Sequence, residues 1–213
     1  MSATVRTAVT LRVQAGQEQA YRDWVAGSMA TLGPVYERTG IRAKTVLMAG
    51  PRIIAHYEAD SPGAFERAMA EPESVALMAG PLAGILDPAV PPVVYPEVFA
   101  WGVKPPWPIE RAGLLLSIKP GQVQPYTEWL AAKAVGQLEP IWQRSDICRH
   151  DVLISGESVV AFYECKMRYN VLKAFREPEA LAVLFTDLAP LLDLDPTMPM
   201  SLFEEAFHWH RGA

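Results

Sequence analysis

Apolar and polar positions alternate from the start of the chain. Val5, Thr7, Val9, Leu11 and Val13 interleave with Arg6, Ala8, Thr10 and Arg12, the period of two that marks a half-buried strand. After Gly16 the period changes. Tyr21, Trp24, Val25 and Leu32 fall at helical spacing and predict an amphipathic helix. Two more strands are predicted over Arg42 to Met48 and Arg52 to Tyr57, joined by the turn signal Ala-Gly-Pro-Arg. A second helical region, Ala64 to Ala79, is broken by Glu71-Pro72, and "VVYPEVFAW" supplies a last strand.

The same order then repeats. Tyr126 and Trp129 stand for Tyr21 and Trp24, Pro140 for Pro34, and Tyr163 and Glu164 for Tyr57 and Glu58. The later helical region, Val171 to Leu184, is broken by Glu177-Pro178, and "SLFEEAFHW" answers "VVYPEVFAW". Self-similarity at a near-constant offset is the mark of a duplicated supersecondary unit. We read residues 1–101 as one ferredoxin-like βαββαβ repeat, 102–110 as a proline-rich connector and 111–213 as the second repeat. A sheet with one helix-covered face needs a cover for its other face. The expected fold is therefore α+β: two fused ferredoxin-like repeats forming, within one chain, the equivalent of a dimeric α+β barrel. Further homodimerisation is compatible with this and not required by it.

Composition narrows the function classes. Of 213 residues half are hydrophobic and a fifth charged, with a formal net charge of −5, enough apolar content for a substantial core. No basic stripe is present, so nucleic acid is not an expected partner, and acidic character disfavours anionic membranes. Leu181 to Leu194 is the most apolar stretch, but Asp187, Pro190 and Asp193 interrupt it, which argues against a membrane span. "MSATVRTAV" lacks the apolar core of a secretory leader. Cys148 and Cys165 sit in no CxxC setting, and reduced thiols in a cytoplasmic protein are expected.

Candidate chemistry lies on the second and third strands. His56 shares a strand face with Ile54 and Glu58, while Tyr57 shares the other with Ile53 and Ala55. Tyr57 recurs as Tyr163, but His56 becomes Phe162, so the two copies differ in a group able to shuttle protons near neutral pH. Arg42 and Lys44 share one face of the preceding strand, where a cation beside a pocket can steady an enolate or phenolate. Their counterparts are Cys148 and His150. The aromatic residues, Trp24, Tyr57, Trp129 and Tyr163 among them, can be core or pocket wall; Trp24 and Trp129 are placed on the helix face toward the sheet, and His150 joins them as a candidate contact for substrate. His208 and His210 share a face, but no third ligand is evident and no metal is expected. No nucleotide-binding glycine motif, P-loop, GxSxG or HExxH is present, so no cofactor is expected.

The segment "GPVYERTGIRAKTVLMAGPRIIAHYEAD", Gly33 to Asp60, resembles the small aromatic polyketide cyclases of the tetracenomycin (TcmI) type and, more loosely, SchA/CurD-like proteins. The likeness is close over about a quarter of the chain and loose over each half. Members of that family are single modules that dimerise. The resemblance implies aldol closure of a poly-β-ketone in antibiotic biosynthesis, without metal or nucleotide, on a hydrophobic polyketide or polycyclic substrate. It implies His56 as the proton shuttle and Arg42 or Lys44 as the enolate partner. The histidine and aspartate that some members carry on the first helix are replaced here by Ser28 and Met29. A second class shares this architecture: cofactor-independent monooxygenases of anthrone-like phenols, for which Trp24, Trp129 and Tyr57 would form the pocket. A non-catalytic binder of hydrophobic small molecules is the third reading.

Overall fold

The computed structural model describes residues 4–194 and 201–212. Its strands are β1 (Val5–Arg12), β2 (Ile41–Ala49), β3 (Arg52–Ala59), β4 (Val93–Gly102), β5 (Glu110–Ser117), β6 (Ile147–Ser155), β7 (Ser158–Cys165) and β8 (Phe203–His210). Helices follow the strands in the expected order. They are α1 (Glu18–Thr39), α2 (Ala64–Ala70) and α3 (Pro72–Ala79) in the first half. The second half has α4 (Val123–Trp129), α5 (Val135–Arg144), α6 (Asn170–Ala174) and α7 (Pro178–Val183). The order βαββαβ thus occurs twice, with the second helical region of each half split at its Glu-Pro. The hydrogen-bonded strand order is β1-β3-β2-β8-β5-β7-β6-β4, a closed barrel, and the fold is of the α+β class expected from the sequence.

Two compact units make up the chain: Met1–Val94 with Glu205–Ala213, and Tyr95–Glu204. They cut the chain differently from the sequence repeats, because the last strand of each half is not kept at home. The end of β8 lies beside β2 in the first unit, where the Arg211 N–H donates to the Arg42 carbonyl at 2.8 Å. Most of β4 belongs to the second unit and pairs with β6, Phe99 opposite Val152.

Each unit buries the helix-side face of its sheet. In the first, Tyr21, Val25, Leu32 and Tyr36 of α1 pack on Val46, Ile53, Ala55 and Tyr57 of β2 and β3. The spacing 21, 25, 32, 36 keeps one helical face inward. Helix α1 runs on through Pro34 to Thr39 and stops at Gly40, whose φ of 92° is the left-handed conformation a helix end favours. In the second unit Trp142, Ala161 and Tyr163 belong to one cluster, and Tyr126, Trp129 and Val152 to a neighbouring one. Gly50 and Gly156, both at positive φ, turn the β2–β3 and β6–β7 hairpins. Both hairpins carry a bulge, at Arg42 between Ile41 and Ala43 and at Cys148 between Ile147 and Arg149.

Candidate active site

The bulge at Arg42 decides which β2 side chains share a face. Lys44 stands opposite Tyr57 and Ala43 opposite Glu58. Arg42 is the extra residue, so the alternation expected to put it beside Lys44 is broken. Arg42 is exposed and pairs with Asp60. Asp60 also takes an ion pair from Arg211 at 2.9 Å, and Arg211 first, then Arg42, hold its carboxyl below the usual range. Lys44 turns inward with Tyr57 and is 2% exposed.

Inside, α1, α2, α3 and the sheet of the first unit enclose a cavity of about 450 Å³. That is within the range of small-molecule sites. Its wall is apolar, with Tyr21, Trp24, Tyr36, Lys44, Tyr57 and Ser74 as the residues bearing polar atoms. Lys44 Nζ lies 5.7 Å from the ring centroids of Trp24, Tyr36 and Tyr57. Among the described residues its hydrogen-bond partner is Tyr36 Oη at 3.4 Å, and no carboxylate pairs with it. The ring faces favour the cation, but burial disfavours it more and lowers the Lys44 pKa from 10.5 to about 8. The phenols move the other way. Burial raises Tyr57 to about 12, against the pull of a hydrogen bond from Tyr36, and raises Tyr36 and Tyr21 well above the ordinary phenol value. At neutral pH all three stay protonated. Lys44 is then the cavity group, among the described residues, that exchanges a proton near pH 8. Two further donors, Trp24 Nε1 and Ser74 Oγ, are buried without a hydrogen-bond partner among the described residues. A ligand rich in acceptor oxygens would satisfy them.

The second unit has the same plan with the space filled. Tyr126, Trp129, Trp142, His150 and Tyr163 take the places of Tyr21, Trp24, Tyr36, Lys44 and Tyr57, yet the cavity shrinks to about 60 Å³. His150 stacks on Tyr163, with centroids 4.4 Å apart and planes 4° apart, and meets Trp142 edge-on at 4.8 Å. Trp142 in turn lies 4.8 Å from Trp101. Burial lowers the His150 pKa to about 3, and neither ring nitrogen has a hydrogen-bond partner among the described residues. His150 is therefore a neutral packing residue in a closed aromatic stack.

Of the residues singled out from the sequence, Trp24, Lys44 and Tyr57 meet in the large cavity, and Trp129, His150 and Tyr163 in the small one. His56 joins neither. It stands opposite Ala8 and Thr45 on the sheet face away from the helices, 1% exposed. His208 bonds Thr45 Oγ1 through Nδ1 at 2.9 Å, and no group of three or more His, Cys, Asp or Glu able to hold a metal occurs among the described residues. Tyr36 and Ser74 were not singled out. Tyr36 carries a readable signal, four residues beyond Leu32 on the same helical face; Ser74 carries none.

No protein-family model matches the chain, and no curated protein matches it by sequence. Solved structures do. A proposed monooxygenase from Fusobacterium nucleatum superposes with a TM-score of 0.67 at 9% identity, covering 99% of this chain and 96% of that one. A second, from Lactobacillus acidophilus, gives 0.63 at 9% identity over 98% and 97%. An anthrone oxidase-like protein gives 0.60 at 13% identity over 98% and 94%. At such identities the likeness establishes the α+β barrel over nearly the whole chain, shared with proteins named as monooxygenases or oxidase-like. No described helix is long and apolar enough to cross a membrane.

Proposed function

We propose that the first unit's cavity is the active site of a cofactor-independent monooxygenase acting on an electron-rich polycyclic substrate of the anthrone type. The observation that carries this is a single buried amine, Lys44, set in an apolar cavity of about 450 Å³. The shared fold with an anthrone oxidase-like protein supports it.

Such a substrate holds a methylene whose proton is acidified by a carbonyl across the ring. Neutral Lys44 takes that proton, and the resulting ammonium beside the ring oxygen stabilises the phenolate form of the anion. The anion is electron-rich enough to reduce dioxygen. Carbon–oxygen bond formation followed by loss of water converts CH2 and O2 into C=O and H2O. The substrate supplies the electrons, so the scheme closes with no further reductant. Trp24, Tyr36 and Tyr57 hold the flat ring system and exclude water, which keeps the nucleophilic carbon oriented. Trp24 Nε1 and Ser74 Oγ offer hydrogen bonds to its oxygen substituents.

Anthrone incubated with the protein in an oxygen-electrode cell should consume one O2 for each anthraquinone formed. Lys44→Met should lower the rate by about 100-fold or more, and His56→Phe should leave it within about threefold, since His56 is on the other sheet face. An aromatic polyketide intermediate closed to a ring without oxygen uptake would instead favour the cyclase reading. Equal rates for Lys44→Met and wild type would remove Lys44 from either scheme.

A further inference from the structure

The cavity of the first unit joins three properties that also suit a carbonyl ligand. Its amine is buried, with one long contact to a phenol and no carboxylate partner among the described residues. Trp24 Nε1 and Ser74 Oγ, buried without a hydrogen-bond partner among the described residues, are able to donate hydrogen bonds. Its wall reaches the surface at Met78 and Val94, which are 37% and 46% exposed. An amine without a carboxylate partner in an apolar pocket is the setting in which lysine becomes a nucleophile toward carbonyl carbon.

We infer that Lys44 captures aromatic aldehydes and unhindered aryl ketones as a reversible imine within this cavity. Neutral Nζ attacks the carbonyl carbon, forming the C–N bond, and a proton passes from nitrogen to oxygen to give a carbinolamine. Loss of its hydroxyl as water, with the second N–H proton, leaves the C=N bond. Atoms balance as amine plus aldehyde giving imine plus water, with no change of oxidation state. The apolar wall favours water leaving, and Tyr36 Oη, protonated and 3.4 Å from Nζ, is placed to hydrogen-bond the departing oxygen. Burial keeps a larger neutral fraction on Lys44 than on lysines in water, so capture does not need alkaline conditions. The inference concerns carbonyl ligands and stands apart from oxygen chemistry.

The test is reductive trapping under nitrogen at pH 7.5. The full chain is mixed with 2-naphthaldehyde and sodium cyanoborohydride, digested, and the labelled lysines read by mass spectrometry. The exposed Lys104 and Lys173 are internal references. Lys44 is expected to label at least tenfold faster than either. In Tyr36→Trp, which carries the second unit's aromatic at that position, this preference should fall by at least fivefold while Lys104 and Lys173 label as before. Labelling of Lys44 no faster than the references, in a wild-type protein whose far-ultraviolet circular dichroism is unchanged by the reagents, overturns the inference. Because oxygen is absent, neither result depends on the monooxygenase reading.

Discussion

Lys44 is expensive to keep where it is. Its pKa falls from 10.5 to about 8 on folding, so between those values the unfolded chain binds more protons than the folded one. Stability then rises with pH across that window, and below pH 8 the buried cation costs on the order of 3 kcal/mol. Lys44→Met should therefore raise the urea midpoint at pH 7 and flatten the dependence between pH 8 and 10.5. His150 gives the acid counterpart. Its pKa falls from 6.5 to about 3, so stability is lost as pH drops through that range, because the unfolded chain's imidazole takes a proton that the buried one refuses. His150→Phe should abolish most of that loss in melting curves taken from pH 7 to 4. The alternation in β3 separates His56 from Tyr57, yet nothing in one strand tells which face meets the helices. That is why the histidine of the first copy was legible as a difference and not as an outsider to the cavity.

Between the two halves, the elements match and the fillings differ. The break at Glu-Pro, the hairpins and the order of elements along the chain are all readable, because turn residues and periods of two and 3.6 are local properties. The bulges at Arg42 and Cys148 are not readable from periodicity. One extra residue sends Arg42 to the Asp60–Arg211 cluster and leaves Lys44 facing Tyr57. On α1, the side chain at position 36 is the clearest contrast: a tyrosine borders open space in the first unit, and Trp142 closes the second. Tyr36→Trp should transfer that closure. The variant is expected to fold with little change in melting temperature and to bind anthrone at least tenfold more weakly, measured by quenching of tryptophan fluorescence.

At the level of the molecule, the repeats expected from the sequence and the compact units of the structure are different divisions of one chain. The twofold βαββαβ order of elements was legible; the placement of the last strands was not, since β4 and β8 look alike in pattern and either sheet could accept either. Removing Phe203–Ala213 should strip β2 of its neighbour and expose a sheet edge. Loss of cooperative melting and association on size-exclusion chromatography are the expected readouts, whereas an unaltered melting curve would contradict the placement of β8. The likeness to monooxygenase-named structures reaches the fold, and what one unit does with its cavity rests on Lys44.

The most direct measurement is the pH profile of anthrone-dependent oxygen uptake by wild type and Lys44→Met side by side. A wild-type rate that rises through about pH 8, as the amine loses its proton, with a variant at least about 100-fold slower across the range, is the predicted result. A variant that matches wild type in both rate and profile would contradict the assignment of the first unit's buried lysine as the base.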